Sequence, residues 1–173
     1  MRTRYVILQQ WELSCAAAAL ATVLRYQYGL PVTERSVALG LINRPEYFAN
    51  PDLVRQRQGF SLLDMKRYTS RIGLQGIGMG RMTFDDLLQR APVIVPTNVE
   101  GYPHFVVFRG ATAHSVLLAD PAFGNVTMSR HRFVQSWIAY RKVGHVGFVV
   151  TRQGELSEPG LLRARIGSFP VLK

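Results

Sequence analysis

One run near the start of the chain, Cys15-Ala16-Ala17-Ala18-Ala19-Leu20-Ala21-Thr22-Val23-Leu24-Arg25-Tyr26, constrains the fold more than any other stretch. Alanine and leucine are the strongest helix formers, and no proline or glycine interrupts them. The run predicts a helix over 16–28, stopped by Gly29 and Pro31. The consecutive alanines from 16 to 19 let that helix sit close against a sheet. Cys15, the only cysteine, stands at its beginning. A thiol there is chemically privileged, because the unpaired N–H groups and positive dipole end of a helix stabilise a thiolate. The plainer alternative is a cysteine buried as a small hydrophobe.

Further elements follow from caps and periodicity. Thr33 opens a second helix to about Leu41, with Glu34 favourably charged in its first turn. From Asn43 to Gly59 the prolines Pro45 and Pro51 predict a loop, with a helical turn at 52–56. Ser61 with Asp64, and Thr83 with Asp86, form capping boxes for helices that run to Gly73 and to Arg90. Ser129 caps a last helix to about Ile138. Between and after these lie β-branched and aromatic runs over 92–96, 104–108, 115–119 and 145–150, which predict strands of a mostly antiparallel sheet. Helices followed by a sheet give the α+β class. The expected organisation is one domain over residues 1–151 and a poorly ordered C-terminal tail over 152–173.

Composition excludes several classes. With 47% hydrophobic and 18% charged residues the 173-residue chain is globular. Its apolar runs are too short to span a bilayer, and no basic-then-apolar leader opens it. One cysteine cannot form an internal disulfide or a multi-thiolate zinc site. The net charge of +10 favours anionic partners. Nucleic acid is not among those expected, since the arginines are scattered and no aromatic-and-basic binding signature is present.

The chain Gln9-Gln10-Trp11-Glu12-Leu13-Ser14-Cys15-Ala16-Ala17-Ala18-Ala19-Leu20, with Tyr26-Gln27-Tyr28-Gly29 after it, resembles the opening motif of the bacteriocin-processing, double-glycine leader peptidases. Two later blocks match in order: His104-Phe105-Val106-Val107, and Ala119-Asp120-Pro121-Ala122. The resemblance covers roughly residues 5–150 and implies a papain-like cysteine peptidase fold. Two departures stand out. Ser14 replaces the common aspartate before the cysteine, and Ala16 replaces the common glycine after it. Without transporter segments, the chain is similar to stand-alone peptidases of functional-amyloid secretion systems.

The resemblance implies four site residues. Cys15 is the nucleophile, His104 the base and later acid, Asp120 the carboxylate that orients the imidazole, and Gln9 an oxyanion donor beside the Cys15 N–H. Each has a rival. His114, His131 and His145 compete with His104, Asp120-Pro121 is also a good turn, and Gln10 adjoins Gln9. Trp11, Trp137, Tyr26 and Tyr28 are expected to pack, although a tyrosine at the end of the first helix could line a cleft. The implied reaction is cleavage after a Gly-Gly pair through a thioester. The alternatives are a silent leader-binding module or a thiol acyltransferase. The implied partners are a Gly-Gly leader substrate and an export apparatus, with no cofactor, metal, nucleic acid or membrane span. The bacterial periplasm, after loss of a signal peptide, is the expected compartment, and the cytoplasm is the alternative.

Overall fold

The computed structural model describes residues 2–53, 60–152 and 160–165. Helix α1 (Cys15–Tyr28) begins on the cysteine itself. It ends at Gly29, whose left-handed backbone (φ 68°) lets its N–H reach the Arg25 carbonyl at 3.0 Å. A side chain would be strained in that conformation. Helices α2 (Glu34–Ile42), α3 (Pro45–Ala49), α4 (Leu62–Arg71), α5 (Phe84–Arg90) and α6 (Arg130–Ser136) follow. Thr33, Ser61 and Thr83 cap α2, α4 and α5 in complete capping boxes, and Ser129 caps α6 through the Arg132 N–H. Helix α3 occupies the expected loop. Pro45 starts it, at the first helical position, where a missing N–H costs nothing. The expected turn at 52–56 lies mostly outside the described residues.

The strands are β1 (Gln75–Met79), β2 (Val93–Val99), β3 (Tyr102–Ala111), β4 (Ser115–Asp120), β5 (Gly124–Ser129), β6 (Ala139–Tyr140), β7 (Gly144–His145) and β8 (Gly147–Thr151). Six of them form one sheet in the order β1-β8-β2-β3-β4-β5, with antiparallel pairings, and β6 pairs with β7 apart from it. The edge strands β1 and β5 were not among the expected ones. In β1, Gly76 lowers strand propensity, yet a Cβ there would strike the Phe148 ring and the Thr69 hydroxyl. Close packing demands the glycine.

Alternation along the strands sorts the core into two layers. Ile94, Val107, Ala119, Phe148 and Val150 pack with the alanines of α1, Val37 and Leu41 of α2, and Met65 and Tyr68 of α4. Val93, Val95, Val106, Phe108 and Leu118 face the other way, against Leu87 of α5 and Phe133 of α6. The architecture is the α+β class expected, with helices on both faces of the sheet. None of the described helices is long and apolar enough to cross a membrane.

Part of the tail is docked. Leu162 is fully buried in the layer that contains α1. The buried Arg109 of β3 donates from Nε to the Leu162 carbonyl (2.8 Å), and its own carbonyl accepts from the Ala164 N–H (2.8 Å). Residues 160–165 are thereby held against the domain; the rest of the expected tail, over 153–159 and 166–173, lies outside the described residues.

Candidate active site

Ser14 occupies the N-cap position of α1, where a serine usually accepts a hydrogen bond from an N–H of the first turn. Its hydroxyl does not do so. It lies 2.8 Å from the Trp11 carbonyl and against Oε1 of Glu34, and no acidic residue stands in the first turn of α1. The N–H groups of that turn thus receive no side-chain cap. They and the helix dipole remain to stabilise negative charge at Cys15.

His104 and Asp120 sit on β3 and β4, adjacent antiparallel strands whose register pairs Val107 with Ala119. The imidazole Nε2 lies 2.8 Å from Asp120 Oδ1. The same oxygen accepts from the N–H groups of Ala122 (2.7 Å) and Phe123 (3.3 Å). The turn offered as a rival reading of Asp120-Pro121 is real, and it orients the carboxylate that binds the histidine. The Tyr102 ring is tilted over the imidazole at a centroid distance of 5.5 Å.

With Nε2 on Asp120, the buried Nδ1 of His104 is the ring atom left for Cys15. Cys15 and His104 line the same cleft of about 300 Å³. Burial of His104 pulls its pKa down. The hydrogen bond to Asp120, and the neighbouring Cys15 and Asp120 charges, outweigh this and raise it from 6.5 to about 9. The ring is consequently an imidazolium at neutral pH, suited to hold a thiolate as an ion pair.

Gln9 is tied to the same corner, since its backbone N–H donates to the Pro121 carbonyl at 2.8 Å. Its side-chain Nε2 donates to the carbonyls of Trp11 (3.1 Å) and Glu12 (3.4 Å), inside the loop that leads to Cys15. The structure therefore joins Cys15 with His104, His104 with Asp120, and Gln9 with the Asp120 turn, while the Gln9 amide is engaged by loop carbonyls. The rival histidines lie elsewhere. His114 and His131 are exposed, and His145 stacks on Trp137 at 4.3 Å.

Phe60, Ser61 and Leu62 at the start of α4, Pro96, Pro103 and Phe105 of the sheet, and Ile138 and Tyr140 complete the cleft. Tyr26 packs edge-on against Tyr5, and Tyr28 donates its hydroxyl to the Val150 carbonyl, so neither tyrosine lines it. Trp137 is buried as expected, but Trp11 is 48% exposed and does not pack. The walls Phe60, Ile138 and Tyr140 escaped the sequence reading, although Phe60 directly precedes the Ser61 cap. Among the described residues no cluster of three or more His, Cys, Asp or Glu could hold a metal ion.

A thiol at a helix start, faced by a carboxylate-bound imidazole from an antiparallel sheet, defines the papain-like cysteine peptidase class. The model of the Peptidase C39 family matches residues 50–141, more than half of the chain, and that stretch contains His104 and Asp120. The chain belongs to the Peptidase C39 family.

Two curated relatives carry the name "Probable functional amyloid protease FapD". The one from Pseudomonas fluorescens is 44% identical over 130 residues, or 75% of this chain and 55% of that protein. The one from Pseudomonas aeruginosa is 39% identical over the same shares. The chain thus aligns with little more than half the length of these relatives. Among solved structures, a double glycine motif protease from an AMS/PCAT transporter, in complex with its leader peptide, superposes with a TM-score of 0.66. It is 25% identical, with 86% of this chain and 91% of that one covered. The peptidase domain of Streptococcus ComA gives 0.65 at 18% identity, over 86% and 98% of the two chains, and supports the fold.

Proposed function

We propose that this chain hydrolyses a leader or exported peptide after a Gly-Gly pair through a thioester intermediate. The observation that carries the reading is the shared cleft of Cys15 and His104, with His104 bound to Asp120 at 2.8 Å. The Cys15 sulfur attacks the scissile carbonyl carbon, and the His104 imidazolium gives its proton to the departing amine. Neutral His104 then takes a proton from water, the hydroxide attacks the thioester, and the sulfur leaves as thiolate. Asp120 keeps one ring orientation through both steps. Negative charge on the carbonyl oxygen falls to the Cys15 N–H and the Gln9 amide, whose longer bond to Glu12 yields to the substrate.

The Gly-Gly preference is supported by the similarity to a double glycine motif protease solved with its leader peptide. The reading extends to the bacterial periplasm as the place of action, with the cytoplasm as the alternative, and to an export apparatus as partner; the similarity to proteins named as probable functional amyloid proteases bears on the protease activity. Mass spectrometry of a Gly-Gly leader peptide incubated with wild type and with Cys15→Ala tests the reading. Cleavage after the pair, lost in the variant, is expected. Binding without cleavage would make the chain a silent module, and a ligated product would make it an acyltransferase.

A further inference from the structure

Glu34 is the buried acid that the reaction above leaves without a task. It is 3% exposed at the first position of α2, a place where a solvent-facing carboxylate would serve the helix dipole equally well. Burying a carboxylate is costly unless specific partners hold it. Its partners are specific. Oε1 accepts from the backbone N–H of Gln10 (2.8 Å) and from the Ser14 hydroxyl, while Oε2 is buried without a hydrogen bond. Gln10 follows Gln9, and Ser14 precedes Cys15. One carboxylate oxygen therefore ties together the two ends of the loop whose outer neighbours are the oxyanion donor and the nucleophile.

We infer that Glu34 is a positioning residue that sets the spacing of the oxyanion donors, acting through Gln10 and Ser14. Together with the Trp11 carbonyl it holds the Ser14 hydroxyl away from the first turn of α1, whose N–H groups stay free for developing negative charge. The inference rests on the thiol-enzyme reading but not on Gly-Gly specificity. It predicts a separation of two reactions of the single cysteine. Alkylation by iodoacetamide needs a thiolate and no oxyanion site. Acylation by p-nitrophenyl acetate passes through a tetrahedral oxyanion and needs both.

In the 173-residue chain, Glu34→Ala is expected to slow acylation of Cys15 at least tenfold while changing alkylation less than twofold. Glu34→Gln keeps an acceptor oxygen for Gln10 and Ser14, and is expected to restore acylation to within threefold of wild type. Equal losses in both reactions would show that Glu34 serves the thiol or the fold at large, and would overturn the inference. No loss in either would do the same. If Glu34→Ala does not fold, Ser14→Ala cuts the tie next to the cysteine together with the Ser14 bond to the Trp11 carbonyl, and leaves the Gln10 tie in place. Acylation at least threefold slower with unchanged alkylation supports the inference, and equal rates overturn it. Should wild type acylate but cleave no Gly-Gly peptide, the substrate reading fails while this test still decides the role of Glu34.

Discussion

His104 and Asp120 meet through a single oxygen: Oδ1 receives the imidazole at 2.8 Å while the Ala122 N–H holds it from behind at 2.7 Å. The carboxylate is thus aimed by its own turn before the ring arrives, and the ring plane inherits that aim. Asp120→Asn can keep an oxygen in this place but loses the charge. Its kcat/KM at neutral pH is expected to fall by at least about tenfold, as when a triad carboxylate is neutralised, with a larger fall for Asp120→Ala. The basic limb of the pH profile should move down from about 9 in Asp120→Asn. An unmoved limb would separate Asp120 from the titration of His104.

For wild type, cleavage is expected to decline as pH rises through about 9, where His104 loses the proton the leaving amine requires. Stability follows the same group. The folded-state value lies above the 6.5 of a free histidine, so folding favours the protonated ring. Its contribution is complete below about 6.5 and is lost as pH rises through about 9. Urea titrations of wild type and His104→Ala across that interval should converge toward its alkaline end.

Gln9→Ala is expected to lower kcat by about 10²–10³, the usual effect of removing one oxyanion donor, with a smaller change in KM. Gln10→Ala, which removes an exposed side chain and keeps the backbone tie to Glu34, should change kcat less than about twofold. Similar losses in the two variants would mean that the Gln9 amide acts only within its loop.

One wall of the cleft depends on a buried ion pair. Arg44 contacts Asp64 of α4, which also accepts from the Tyr47 hydroxyl (2.5 Å) and the Ser61 N–H (2.9 Å). Arg44→Ala leaves that carboxylate without its cation, at an expected loss of about 3 kcal/mol in urea unfolding. Because Phe60, Ser61 and Leu62 form the wall at this end of α4, KM for peptide should rise in the same variant.

The charge of +10 predicts attraction of acidic leaders over a distance that salt controls. Raising ionic strength from about 0.01 to 0.15 M shortens the screening length from about 30 to 8 Å. The kcat/KM for an acidic Gly-Gly leader should fall several-fold, and that for an uncharged analogue less than about twofold. Equal salt effects on both peptides would remove steering from the account.

Local signals located most of the scaffold, because α1, α2, α4 and α5 are written in short-range chemistry: an alanine run, a threonine cap, two capping boxes and a closing glycine. The buried strands were legible as apolar runs. Helix α3 was hidden by Pro45, a breaker inside helices but a good first residue. Strands β1 and β5 lie at the sheet edges, where half-exposed and glycine-containing segments lose the apolar signature. In the site, Cys15, His104 and Asp120 stood out through motif blocks. Glu34 showed only as a favourable charge at a helix start, since its burial against Ser14 and Gln10 is created by the packing of α2 beside the loop. The Asp64 cap was visible in sequence, but its pairing with Arg44, twenty residues upstream, was not.

The docked C-terminal segment joins the two halves of the catalytic apparatus from behind. Leu162 is embedded in the layer under α1, whose first residue is Cys15, and Gly160 lies against Gln27 of the same helix. Arg109, which grips Leu162, belongs to the strand that bears His104. Losing residues 160–165 would therefore unfasten helix and strand together, making this short segment a latch on a cleft whose walls it does not form.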